Sequence, residues 1–205
     1  EDIGIEGRVA FYDGVGALRD VGQSHVLQIL ALLLMEDPGE LNSKKIRAGR
    51  EKVMRALIQL TRRECETKTF KGQYESFRSE EGVARDSKTE TYFRVAASLK
   101  GKNWKGIPII LEGGKKMQRK QTDITIHFKG KSTCVCTVQD HKESHKNILR
   151  FLIQPEEGIR VTFWAKKPGF KMELESQELL FVYEKENNIS VPDAYEKLLL
   201  HVVQG

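Results

Sequence analysis

The hydrophobic pattern of this chain changes from helical to strand spacing near residue 89, and this order limits the fold more than any other feature. Before that point, apolar spacing predicts two helices, over 17–35 and 43–61. Between these helices and that point, the charged and aperiodic segment 63–87 reads as a long loop. From residue 89 on, six segments read as strands, at 89–99, 107–111, 122–128, 148–153, 159–164 and 179–183, and the short turn at 154–158 predicts a hairpin. A last helix is predicted over 192–203. Helices followed by a run of strands predict an α+β fold with a large, mostly antiparallel sheet and helices packed on one face.

The helix predicted over 17–35 is apolar on nearly all sides, which indicates that it is buried. Its front end carries Asp20, a candidate N-cap, and His25, a residue suited to proton abstraction near neutral pH. A satisfied core histidine is the ordinary alternative, and it is favoured when His25 is considered alone. On an ideal α-helix, Asp20 and His25 lie about 140° apart, so they are not expected to pair. A carboxylate that orients His25 is therefore expected from elsewhere.

The size and charge of the chain exclude some classes of protein and leave others open. Its 205 residues suit one domain, which we expect over 1–205. The net charge of +5 permits anionic partners without choosing among them. Three cysteines do not suggest a disulfide framework, so a reducing cytoplasm is expected. The longest apolar run, 29–35, is too short to cross a membrane. Because the chain begins at Glu1 with strongly patterned sequence, we expect it to be a piece of a longer protein.

Two glycine-containing segments partly match nucleotide-binding motifs, but both fail on spacing. The segment 14–19 lacks the third glycine of a dinucleotide fingerprint, and no strand–helix–strand context follows it. The segment 113–116 lacks the first glycine and the hydroxyl residue of a P-loop. The segment 134–145 carries two cysteines and two histidines, but the gap between the pairs is too short for an ordinary zinc finger. A solvated loop is favoured there, and no metal site is predicted.

Nine basic residues and two acids lie between residues 100 and 131. Three interpretations remain open: a solvated basic edge, a small-anion site that needs only two or three lysines, or a nucleic-acid surface. Trp104 and Phe128 are the only aromatic residues in this segment, so a stacking platform for bases is poorly supported. The pattern alone favours a solvated edge first, a small anion second and nucleic acid last.

Two longer segments, GALRDVGQSHVLQ at 16–28 and PDAYEKLLL at 192–200, resemble the C-terminal domain of glucose-6-phosphate dehydrogenase. Shorter matches occur in the same order along the chain, at 1–8, 35–36, 51–53, 72–74, 89–91, 104–108, 114–115, 154–159 and 167–169. Together they cover essentially the whole chain, so the resemblance extends well beyond a single motif.

The resemblance implies that His25 takes the proton from the C1 hydroxyl of glucose 6-phosphate as hydride leaves C1 for NADP, giving a 6-phosphogluconolactone. The substrate-binding residues that it implies are Glu1, Asp20, Lys115, Lys120 and Gln154. Lys115 would serve the sugar and Lys120 the phosphate. These residue types suit the ligand, because carboxylates accept hydrogen bonds from hydroxyl groups and lysines bind phosphate as compact charges.

The resemblance further implies an NADP-dependent oxidoreductase of the pentose phosphate pathway, located in the cytoplasm and forming a homo-oligomer through its sheet. NADP would be held mainly by the family's N-terminal domain, which this sequence does not contain. That missing part also supplies the carboxylate partner of the catalytic histidine. We therefore expect the chain alone to be inactive, since hydride transfer needs the nicotinamide held close to C1.

Several departures from the family leave an alternative open. Glu112 stands where the family usually has arginine, which puts any anion site served by that arginine in doubt. Gly22 and Ser24 replace bulkier or amide residues, and the 134–145 segment has no family counterpart. The alternative function is a non-catalytic module that binds a sugar phosphate or another anion.

Overall fold

The computed structural model describes residues 2–5, 7–129, 145–183 and 195–204. Contacts divide the chain into two compact units, Glu1–Arg119 and Lys120–Gly205, and each is described by itself. That the whole chain acts as a single domain stays a prediction.

The first unit opens with helices. They are α1 Val9–Ala17, a π-helix Leu18–Val26, α2 Leu27–Leu34, α3 Ser43–Ala56 and α4 Arg62–Lys68. Asn42 caps α3, because its side-chain oxygen accepts a hydrogen bond from the backbone N–H of Lys44 at 2.9 Å. The prediction of one helix over 43–61 is wrong at its end, since Leu57 adopts an extended conformation and bridges Leu99. A capping box between Thr61 and Glu64 then starts α4.

The first unit also holds a three-stranded antiparallel sheet. Its strands, in spatial order, are β1 Thr69–Gly72, β2 Tyr92–Ala97 and β3 Ile109–Gly114. The core of this unit is a cluster of buried side chains, Ile5, Tyr12, Ala17, Phe77, Val83 and Phe93. The segment 63–87, predicted as a loop, contains most of α4, all of β1 and a 3₁₀ turn over Phe77–Ser79.

The second unit contains a four-stranded antiparallel sheet. Its strands lie in chain order, β4 Thr122–His127, β5 Ile148–Gln154, β6 Gly158–Lys166 and β7 Leu174–Val182. Helix α5, Glu196–Gln204, comes last among the described elements. The hairpin predicted at 154–158 is confirmed, because Leu152 of β5 pairs with Gly158 of β6.

The α+β class and the antiparallel pairing are confirmed, but the described strands form two sheets rather than one large sheet. The chain turns out of the first sheet directly after β3. There Lys116 adopts a left-handed conformation, with φ of 48°. The backbone N–H groups of Lys115 and Lys116 donate to the carbonyls of Thr91 at 2.8 Å and Ile3 at 2.9 Å. These bonds fix the two lysines directly after β3, where the pairing between β2 and β3 ends.

The predicted helix over 17–35 is also corrected. It is a π-helix followed by α2, and Asp20 lies inside the π-helix rather than at its N-cap. Leu30 and Ala31 are buried, but the next two leucines are 48% and 36% exposed, so the prediction of burial on all sides is wrong for one side. In the part of the chain that the structure describes, none of the helices is long and apolar enough to cross a membrane.

Candidate functional site

Asp20 and His25 lie on the π-helix Leu18–Val26. Its wider hydrogen-bond pattern is seen where the N–H of Leu27 donates to the carbonyl of Gly22, five residues earlier. Helices of this kind are rare and often occur at functional sites. Because a π-helix bonds residues five apart, Asp20 and His25 lie on the same side of it, and the 140° separation assumed from α-helix geometry is wrong. His25 is exposed, and among the described residues no hydrogen bond joins the pair.

Two local features accompany the π-helical geometry. The hydroxyl of Ser24 donates to the carbonyl of Asp20, four residues earlier, and such bonds bend helices. Gly22 is buried against the Phe93 ring, where a Cβ would lie 2.9 Å from a ring carbon. A side chain at Gly22 would therefore push the helix away from β2. The helix also lies over the end of β3, where a Cβ added at Gly113 would come within 3.6 Å of Val21.

The π-helix begins at a sharp break in the chain. Gly16 has φ of 75°, a conformation that other residues rarely adopt. Directly after it, the N–H of Ala17 donates to the carbonyl of Glu90 at 2.9 Å. The N–H of Leu18 donates to Glu90 Oε1 at 3.1 Å. A Cβ on Gly16 would lie 2.6 Å from that oxygen, so another residue here would be strained in its backbone and would displace the Glu90 carboxylate.

Lys115 is connected to this helix through Thr91, the residue after Glu90. The Thr91 carbonyl accepts the backbone N–H of Lys115 at 2.8 Å, while Glu90 holds the start of the π-helix. Lys115 is only 7% exposed, and burial lowers the pKa of its amine from the ordinary lysine value. The first unit thus holds Asp20, His25 and Lys115 on one hydrogen-bonded frame.

Asp20 forms an ion pair with Arg8, whose Nη2 lies 3.5 Å from Oδ2. The Asp20 side chain is 20% exposed, so this pair leaves part of the carboxylate open to solvent. Tyr12 is fully buried nearby, and its hydroxyl has no hydrogen-bond partner among the described residues. Burial, with the charges of Asp20 and Glu90, raises the pKa of Tyr12 above its ordinary range. The phenol is therefore neutral near pH 7.

The other predicted site residues belong to the second unit or lie outside the described residues. Lys120 is exposed and comes two residues before β4. Gln154 is exposed at the end of β5, and it pairs with Thr122, the first residue of β4. The peptide bond between Gln154 and Pro155 is cis. Lys120 and Gln154 thus occupy the same end of the four-stranded sheet. Glu1 lies outside the described residues.

The glycine segments that partly match nucleotide-binding motifs have other positions. The segment 14–16 lies within α1 and its break, not between a strand and a helix. The glycines at 113 and 114 close β3, and Lys116 beside them is held by Ser76 at 2.8 Å and by Glu80 at 3.7 Å. Neither segment therefore forms the phosphate-binding turn of the motif that it partly matches.

No group of three or more potential metal ligands occurs among residues 2–5, 7–129, 145–183 and 195–204. The solvated loop predicted at 134–145 lies outside these ranges except for His145. The His145 ring packs against Trp164, with ring centroids 4.3 Å apart.

Sequence reasoning missed the residues that support the site, above all Arg8, Gly16 and Glu90. Gly16 was not predicted to break the chain, although a glycine directly before a helix that carries polar residues signals a break. Arg8 and Glu90 could not be found by spacing, because Glu90 is 72 residues from its partner Leu18.

Comparison with known proteins agrees with the resemblance noted in the sequence. Residues 1–205 match the family described as "Glucose-6-phosphate dehydrogenase, C-terminal domain". The chain belongs to this family. A glucose-6-phosphate 1-dehydrogenase from Borreliella burgdorferi is 34% identical, and the match covers 100% of this chain and 45% of that protein. The protein from Arabidopsis thaliana named "Glucose-6-phosphate 1-dehydrogenase 5, cytoplasmic" is 34% identical over 39% of its length. The chain thus spans less than half the length of these relatives.

Solved structures of the same family share the fold. A structure described as "Glucose-6-phosphate dehydrogenase in complex with its substrate glucose-6-phosphate" has a TM-score of 0.84 and 31% identity. That match covers 99% of this chain and 42% of the solved chain. A glucose-6-phosphate 1-dehydrogenase from Mycobacterium avium has a TM-score of 0.78 and 31% identity, over 89% of this chain and 39% of its own.

Proposed function

We propose that this chain is the substrate-binding domain of an NADP-dependent oxidoreductase that oxidises glucose 6-phosphate to 6-phosphogluconolactone in the pentose phosphate pathway. The observation that carries the proposal is the frame that joins Asp20, His25 and Lys115 through Glu90 and Thr91. The resemblance implies that all three are site residues, and a sugar phosphate offers hydroxyls and charge that match them.

The roles follow from the chemistry of each side chain. His25 is exposed on the helix and accepts the proton of the C1 hydroxyl. Asp20, partly open beside its pair with Arg8, accepts a hydrogen bond from a sugar hydroxyl. Lys115 donates to the sugar, and Lys120, Gln154 and Glu1 complete the predicted set of substrate contacts. Their joint action on one ligand is part of the proposal.

The cofactor assignment concerns the whole enzyme. NADP would accept the hydride there, held mainly by the N-terminal domain that the family resemblance implies. We therefore expect no reduction of NADP when the chain is mixed with glucose 6-phosphate and NADP and followed by absorbance. Turnover by the chain alone would contradict this assignment of roles.

Calorimetric titration with glucose 6-phosphate tests the binding proposal. The chain is expected to bind this sugar phosphate at least ten-fold more tightly than glucose or inorganic phosphate, because both ends of the ligand are contacted. Asp20→Asn should weaken binding of glucose 6-phosphate more than binding of inorganic phosphate. Asp86→Asn, at an exposed position outside the predicted set, is the matched control and should bind like wild type.

The alternative is a non-catalytic module that binds a sugar phosphate or another anion, and in its second form, which disregards the sugar, it makes a different prediction. Inorganic phosphate and glucose 6-phosphate would then bind equally, and Asp20→Asn would strengthen both by removing a negative charge. Equal affinities would therefore contradict the sugar-phosphate site.

We also propose that the protein self-associates through the four-stranded sheet and resides in the cytoplasm. Leu179 and Phe181 lie two residues apart on one face of β7, and they are 63% and 38% exposed. A large exposed apolar patch is typical of an interaction surface. Sedimentation of Leu179→Arg should show a smaller species than wild type; equal sizes would contradict this surface. The relatives from Arabidopsis thaliana whose names include "cytoplasmic" support the location.

A further inference from the structure

Glu90 is a charged side chain in a covered position at the start of the π-helix. Its side chain is 13% exposed, and Oε1 accepts the N–H of Leu18 at 3.1 Å. The only lysine near it in the described ion pairs is Lys71, whose Nζ lies 3.9 Å from Oε2. A carboxylate at this place satisfies an N–H group that the helix itself leaves unbonded, and it complements the positive end of the helix dipole.

The segment that carries Glu90 is itself fixed on both sides. The side-chain amide of Gln73 donates to the carbonyls of Ser87 at 3.0 Å and Thr89 at 2.8 Å. The hydroxyls of Ser87 and Thr89 donate in turn to Asp13, on the α1 side of the break. Residues 87–91 are therefore a fixed segment, called the strap below, that connects the end of β1 to the break at Gly16. Glu90 is the point where this strap contacts the π-helix.

The strap also sets the position of Lys115. Thr91 has no exposed surface, its N–H donates to the carbonyl of Gly72 at 2.9 Å, and its own carbonyl accepts the N–H of Lys115. Glu90 thus holds the π-helix that carries Asp20 and His25, while its neighbour Thr91 holds Lys115 at the end of β3. A shift at Glu90 would turn the helix relative to Lys115 without removing any side chain that meets the ligand.

We propose that Glu90 is a positioning residue that fixes the start and rotation of the π-helix, and thereby the placement of Asp20 and His25 on the sugar phosphate. This inference rests on the proposed function for its effect on binding. The effect of Glu90 on the helix does not depend on that function, because the helix is held in the same way without ligand. The helix needs an acceptor oxygen at position 90, carried on a side chain as long as that of glutamate. The negative charge of that side chain is of secondary importance.

Three substitutions separate these requirements. Glu90→Gln keeps the acceptor oxygen and its reach, Glu90→Asp keeps the charge but shortens the reach, and Glu90→Ala removes both. Glu81→Ala, at an exposed position nearby, is the matched control. Without ligand, Glu90→Ala and Glu90→Asp should increase hydrogen exchange at the Leu18 amide about five-fold, the effect of one lost cap. They should also move the ring resonances of His25. Glu90→Gln and Glu81→Ala should resemble wild type in both readings.

Titration with glucose 6-phosphate completes the test. Glu90→Ala should weaken affinity about five-fold, and Glu90→Gln should restore it. A general structural role predicts instead faster exchange throughout residues 9–119 with unmoved His25 resonances, and this result would overturn the proposal. Unchanged exchange at Leu18 in Glu90→Ala would overturn it too. If wild type binds no sugar phosphate, the proposed function fails, and the exchange and ring readings still decide the role of Glu90.

Discussion

Two tyrosines that pack against Phe77, the buried Tyr12 and the half-buried Tyr74, offer a matched test of how this core was assembled. The Tyr12 ring packs edge-on against Phe77 with centroids 6.4 Å apart, and the Tyr74 ring does so at 5.5 Å. The Tyr74 hydroxyl donates to Glu80 Oε1 at 2.6 Å, whereas the buried Tyr12 hydroxyl has no partner among the described residues. The same substitution, tyrosine to phenylalanine, should therefore have opposite effects at the two positions.

The magnitudes follow from the hydrogen bonds. A buried polar group without a partner costs about 1–3 kcal/mol, so Tyr12→Phe should raise the free energy of unfolding by about 1 kcal/mol. A hydrogen bond to a charged group contributes about 1.5–3 kcal/mol. Glu80 is 23% exposed, and without the Tyr74 hydroxyl it still has its ion pair with Lys116, whose Nζ lies 3.7 Å away. Tyr74→Phe should therefore lower the free energy of unfolding by about 1.5 kcal/mol, at the low end of that range.

Urea unfolding at pH 7 measures both changes. Trp104 belongs to the unit that holds both tyrosines, so its fluorescence in a Trp164→Phe background follows the unfolding of that unit. Equal slopes against urea for all variants would validate the comparison. Loss of stability in Tyr12→Phe as large as in Tyr74→Phe would refute the reasoning, since it would mean that the Tyr12 hydroxyl is satisfied.

The two tyrosines also predict the behaviour at high pH. Burial raises the pKa of both, and the charges of Asp20 and Glu90 add to the rise at Tyr12. A raised pKa in the folded state gives stability that is complete below the unfolded pKa, about 10, and is lost as the pH rises further. The wild-type chain should therefore lose stability above pH 10 more steeply than Tyr12→Phe.

Three other predictions concern single side chains. Lys68→Met should raise the pKa of Glu64 from about 2, because the hydrogen bond from Lys68 is the largest cause of that low value. The hydrogen bonds from the Thr61 N–H and hydroxyl are the next causes. An NMR titration of Glu64 that stays unchanged would be inconsistent with this prediction. Lys115→Met should bind glucose 6-phosphate at least ten-fold more weakly than wild type, because it removes the amine that we propose donates to the sugar, and calorimetry checks this. Asn42→Ala should cost about 1 kcal/mol by removing the cap of α3, and urea unfolding with no loss would contradict that cap.

The strands of the second unit could be predicted because their alternation shows in the sequence. β4 alternates between apolar and polar residues, and the turn after Gln154 marks a hairpin. The segment 63–87 was misread because its many charged residues hide a capping box at Thr61 and a short strand. The capping signal itself, Thr61 followed by Glu64, was present in the sequence.

The candidate site shows where sequence patterns stop being informative. The apolar spacing of 17–35 is compatible with an α-helix and does not reveal the π-helical turn, which accompanies Ser24, Gly22 and a contact from Glu90. That contact joins residues 72 positions apart, so it depends on the tertiary fold. The site residues themselves came from the family resemblance, and pattern alone favoured a core role for His25.

The most direct test of the account is the NMR response of the His25 ring to glucose 6-phosphate in the wild-type chain. The account predicts a saturable shift of the ring resonances, weakened in Lys120→Ala and absent when glucose replaces the sugar phosphate at the same concentration. Ring resonances that stay fixed, in a chain shown to be folded, would contradict a sugar-phosphate site on the π-helix.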